Sequence, residues 1–254
     1  MKSIHSPFVL FAACVLLVAA CKKKDNTVET PTTGTLAFHM HNTINQVEVE
    51  SYGDTMTMAG NRKIVVTKAQ LYLSGFQLVK SDGSVASGPG TNLLKVQEAD
   101  QYVAGSVPTG SYKTIKFDVG LSAATNASTP STSDATLNRP EMWFGNAAQP
   151  DGFAFVVFQG FIDTTAAANG TNLVPFSYKI GTNANLKTVT MPDMAYTIAA
   201  GQTYEEHINI DYANLFNGVQ LNVPSNLQIN TAADNATPLA TQVANNVAGM
   251  FFYE

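Results

Sequence analysis

Cysteine is nearly absent from this chain: of 254 residues only Cys14 and Cys21 carry a thiol, and both stand in the first apolar segment. From residue 22 onward there is no disulfide, no thiolate nucleophile and no cysteine metal site. Charge is sparse too, at 13% of residues. Its excess is acidic, 19 Asp+Glu against 14 Lys+Arg for a net charge of -5, whereas a nucleic-acid interface needs a basic footprint. Gly and Pro, at 18 and 11 residues, are too few for a collagen-like or wholly disordered chain. The G-x-S-x-G elbow, the H-E-x-x-H zinc motif and the phosphate-binding loop are all missing. No convergent set of polar residues marks an active site, so the chain reads as a non-enzymatic binding protein.

What is present begins with an export pattern. Residues 1–21 read MKSIHSPFVLFAACVLLVAAC, with Lys2 ahead of the apolar run Phe8 to Ala20. That run is shorter than the ~20 residues a spanning helix needs, so it reads as a cleaved signal. Leu17-Val18-Ala19-Ala20-Cys21 resembles the bacterial lipobox, in which the cysteine thiol accepts diacylglycerol. The expectation is a signal peptide over 1–20, lipidation at Cys21 and a flexible polar tether over 21–35. Acyl chains on Cys21 would hold the protein at the bacterial outer membrane, facing the periplasm or the outside.

The rest alternates like strands. Leu36, Phe38 and Met40 fall on one face and Ala37, His39 and His41 on the other. Val47 to Glu50 repeats the pattern, and Ile64 to Val79 holds a longer β-prone run with a break near Ser74-Gly75. A turn follows at Ser81-Asp82-Gly83-Ser84. Tyr112 to Val119 reads as another strand, Ser122 to Asn138 as a long surface loop, and Phe153 to Phe161 as a strand buried in a sandwich. Thr203 to Tyr212 sets Glu206, Ile208, Ile210 and Tyr212 against Glu205, His207, Asn209 and Asp211. Pro238 opens a helical pattern through Leu239, Val243, Val247 and Met250. Many short strands without a βαβ rhythm predict one mainly β, immunoglobulin-like sandwich over 36–254, closed by a short C-terminal helix.

Beyond the signal, histidine occurs only at positions 39, 41 and 207. His39 and His41 lie two apart on a strand, so both rings leave the same face about 7 Å apart at the backbone, a span two imidazoles close around one ion. Imidazole suits copper, and copper(II) heads the affinity order for nitrogen ligands. A solvated polar face accounts for the same pattern. His207 supplies a third ligand if its strand lies beside the first. Trp143, the only tryptophan, reads as a structural indole or, near a redox metal, as an oxidation target.

Several segments carry a resemblance. IVVTKAQLYLSGF at 64–76 followed by Lys80 to Gly83, VPTGSYKTIKFDVG at 107–120, Met142-Trp143 with Gly152-Phe153-Ala154-Phe155, and INIDYANLF at 208–216 together resemble the MbnP-like bacterial lipoprotein family. The end near Asn246 to Phe251 is similar to that family's closing helix. The resemblance implies a periplasmic or surface β-sandwich, copper bound by histidines, and a tryptophan, here Trp143, oxidised to kynurenine in association with a dihaem peroxidase partner. Two positions depart from the pattern. Phe144 and Gly145 stand where a histidine follows the tryptophan, and Lys179 replaces the histidine of a later strand. A protonated lysine cannot ligate. Two readings follow: a lipid-anchored envelope protein binding copper through His39, His41 and His207, or a metal-free interaction module that has kept the fold and lost the site.

Overall fold

A computed structural model describes residues 32–145 and 151–254. The expected signal peptide, Cys21 and the tether up to residue 31 lie outside the described residues. In chain order the strands are β1 (Thr33–Ile44), β2 (Val47–Glu48), β3 (Thr55–Thr57), β4 (Lys63–Val79), β5 (Val85–Ser87), β6 (Leu93–Lys95), β7 (Gln101–Pro108), β8 (Gly110–Tyr112) and β9 (Thr114–Val119). They continue as β10 (Ala154–Asp163), β11 (Leu173–Gly181), β12 (Lys187–Thr190), β13 (Tyr196–Ile198), β14 (Thr203–Asp211), β15 (Gln228–Ile229) and β16 (Phe251–Tyr253). The α-helices are α1 (Ala123–Asn126) and α2 (Pro238–Asn246).

Two sheets carry the fold. The first runs β16-β14-β1-β2, with β7 also pairing β1; the second runs β12-β9-β4-β10-β11-β15, with β3, β5 and β6 on β4. The small pair β13-β8 stands apart. Leu36, Phe38, Met40, Ile208 and Ile210 of the first sheet share one core with Leu71, Leu73, Val156, Phe158 and Phe117 of the second. Phe38 meets Phe76 of β4 at 5.3 Å between ring centroids. This is a β-sandwich whose inner faces are closed by alternate residues of each strand.

The alternation of β1 and β14 is as the sequence implies: Leu36, Phe38 and Met40 are wholly buried while His39 and His41 are partly buried on the opposite face. The expected break near Ser74-Gly75 is a bulge inside one continuous strand. The register against β9 shifts between Ser74 and Gln77, and Gly75 takes φ 61. A Cβ there would come 2.5 Å from the Asp118 carboxylate, so a larger residue would have to displace it. The run from Ala154 to Phe158 is buried on both faces because β10 lies between β4 and β11 under a second apolar layer.

Four elements differ from expectation. β1 already starts at Thr33, within the span read as tether. The loop after Ser122 opens with α1, one turn capped by the Ser122 hydroxyl accepting from the Thr125 amide. Tyr112 to Val119 is interrupted at Lys113, where the chain leaves the β13-β8 pair to join β4. The helix is capped by Thr237 with Pro238 in its first turn, and Ala240, Val243 and Ala244 pack inward. The chain then turns into β16, a strand on β14 that the helical periodicity hides.

Candidate metal centre

β1 and β14 run parallel, and their register sets His39 directly beside His207. On the other flank of β1, Gln101 of β7 is opposite His39. Beyond β14, Glu254 follows β16 and its amide donates to the His207 carbonyl at 3.3 Å. A row of four side chains, Gln101, His39, His207 and Glu254, thus crosses four strands on the solvent face of the first sheet. His41 stands two residues further along β1, its ring centroid 4.4 Å from that of His39. The three sequence-nominated histidines are therefore neighbours in space.

The ligand atoms converge. His39 Nδ1 lies 3.2 Å from His207 Nδ1, and His207 Nδ1 lies 3.0 Å from Glu254 Oε2. Nitrogens held 2.0–2.1 Å from a tetrahedral ion are separated by about 3.3 Å, so little movement would admit one. Two overlapping sets have donor atoms within 4.8 Å of one another: His39 with His41 and Asp100, and His39 with His207 and Glu254. His41 Nδ1 is 2.6 Å from Glu48 Oε1, which fixes that nitrogen as the donor and leaves Nε2 for a ligand. Sequence reasoning missed the carboxylates. Asp100 sits in the loop before β7, and Glu254 reaches the site only because of the unforeseen β16.

Two shifts describe the electrostatics. The His207 hydrogen bond, with His41 and His39 nearby, holds the Glu254 carboxyl below the usual carboxylate range. Burial pushes the Lys95 ammonium down, opposed by its bond to Asp100 at 3.0 Å.

Trp143 lies elsewhere. It is 2% exposed and packs with Met142, Tyr72, Phe153, Phe155 and Val157. Tyr72 and Val157 alternate with the core residues Leu71, Leu73, Val156 and Phe158, so this cluster covers the face of the second sheet turned away from the first. The indole Nε1 donates to the Leu137 carbonyl at 2.9 Å. The sandwich stands between Trp143 and the histidines, and the structure does not bring them together.

A family model for MbnP matches residues 33–237. The chain belongs to the MbnP family. MbnP-family members are non-enzymatic binding proteins, typically outside the cytoplasm, and this chain is read as one. The solved structure of MbnP from Methylosinus trichosporium aligns with 86% of this chain and 97% of that chain, with a TM-score of 0.55 at 16% identity. That likeness is one of fold. No curated protein sequence matches the chain.

The MbnP resemblance implies copper beside the tryptophan, and the residues there do not fit it. Phe144 offers only hydrocarbon. Lys179 donates its ammonium to the Trp143 carbonyl at 3.4 Å. Burial and the neighbouring Lys68 push that ammonium down from its ordinary range. The indole nitrogen is already engaged. The imidazole and carboxylate donors of the first sheet fit a copper ion better.

Proposed function

We propose that this MbnP-family protein is a lipid-anchored, non-enzymatic binding protein of the bacterial cell envelope that takes up copper at His39, His41 and His207. The observation that carries the reading is the 3.2 Å approach of the His39 and His207 Nδ1 atoms, with Glu254 Oε2 3.0 Å from the latter. His39 with His207 and Glu254, and His39 with His41 and Asp100, are borderline N/O donor sets, for which copper(II) heads the divalent series. The lipobox-like Leu17 to Cys21 supports anchoring at the outer membrane. The two packed sheets support an immunoglobulin-like scaffold. A dihaem peroxidase partner is proposed on family resemblance alone.

Native mass spectrometry of the protein purified without a tag from its own host tests this. The expected result is one retained copper ion, lost in the His39→Ala/His41→Ala double variant. A wild-type chain that stays metal-free after copper addition overturns the reading. The second reading, a metal-free interaction module, is favoured by Phe144 and Lys179 at the positions where the family pattern has histidine.

A further inference from the structure

Two carboxylates border His39, but their surroundings differ in charge. Asp100 Oδ1 is 3.0 Å from the Lys95 ammonium. Lys95 is 1% exposed, donates also to the Ala99 carbonyl at 2.7 Å, and lies 5.7 Å from the centre of the Tyr102 ring. Among the described residues Asp100 is the only carboxylate within ion-pair distance of that buried ammonium. An ion bound by Asp100 would share the carboxylate with a fixed positive charge a few ångströms away, or strand the ammonium without its partner. Glu254 carries no such load. It is half-exposed, and its partner His207 is an uncharged ligand once deprotonated.

Resting on the copper reading above, we infer that Lys95 withholds Asp100 from the metal, so that a divalent ion is held by His39, His207 and Glu254. Glu254 then supplies one negative charge to the ion, while the Asp100 half is already neutralised by Lys95. A hard carboxylate oxygen beside imidazole nitrogens selects a divalent ion over monovalent copper, which favours sulfur ligands. His41, with Nδ1 held by Glu48, is the further imidazole next to the set. Lys95 is a positioning residue: it never touches the ion and decides which carboxylate does.

The test is titration of the full chain with copper(II) alone, buffered by a weak competitor, with the spectrum of bound copper(II) recorded for each variant. Glu254→Gln should weaken binding about tenfold or more and alter the spectrum, while Asp100→Asn should change affinity by less than about threefold. Lys95→Met should tighten binding, because it frees a carboxylate beside His41, an effect that mere loss of structure would not produce. The first two variants decide the matter even if Lys95→Met fails to fold. Strong weakening by Asp100→Asn with an unaffected Glu254→Gln overturns the assignment and leaves the copper reading standing. A wild-type chain that binds no copper(II) overturns both.

Discussion

His39 and His207 stand 168 positions apart in the chain, yet their rings meet edge to face at 4.9 Å and their Nδ1 atoms approach to 3.2 Å. At that distance the two nitrogens share one proton or one metal ion, and two protonated rings repel. Metal uptake therefore competes with protons. Imidazole nitrogens must shed their protons to ligate, so copper(II) affinity should fall as the medium is acidified, by up to tenfold per pH unit for each proton displaced. Titrations at several pH values check this. An affinity indifferent to acidification would exclude imidazole ligation.

Glu206 sits on β14 but faces the core, 2% exposed. Its Oε2 accepts from the Tyr204 hydroxyl at 2.9 Å. Burial raises its carboxyl above the usual range, only partly offset by that bond. A folded-state value above the unfolded one means that its contribution is fully present below about pH 4.3 and is lost as pH rises through the raised value. Glu206→Gln should therefore stabilise the protein at pH 7, with the gain vanishing toward pH 4. Urea unfolding at the two pH values reads it, and a gain of equal size at both would contradict the burial argument.

Trp143 is a packing residue of the second sheet's outer face, its N–H bonded to Leu137. Trp143→Ala should cost about 3–5 kcal/mol of stability. Copper(II) affinity, measured where the variant remains folded, should move by less than about twofold, since the sites share no partner. A large loss of affinity in the folded variant would tie the indole to the metal after all.

Much of the site was legible locally. Period-two patterning in LAFHMH and EEHINI placed all three histidines on polar strand faces, because one buried face dictates the other. Which strand lies beside which is not local information. Nothing in residues 33–44 or 203–211 names the other as a parallel neighbour, and that pairing alone makes His207 adjacent to His39. Glu254 was hidden because the Leu239, Val243, Val247, Met250 spacing runs into Phe251–Tyr253, a strand too short to declare its own period. The surroundings of Trp143 were hidden for a related reason: its order along the chain is local, while the side chains around it are set by β4 and β10.

The parallel junction of β1 with β14 also has a temporal consequence. Strand β1 is synthesised early, and its neighbour appears only after most of the chain has been made. Such distant pairing is slow, because a long loop must close before any contact rewards it. Until then His39 and His41 have no His207, and a partly made or clipped chain lacks the set that would hold an ion. If the chain binds copper as proposed, capture of the ion would report that both ends of the fold have met and would mark completed folding.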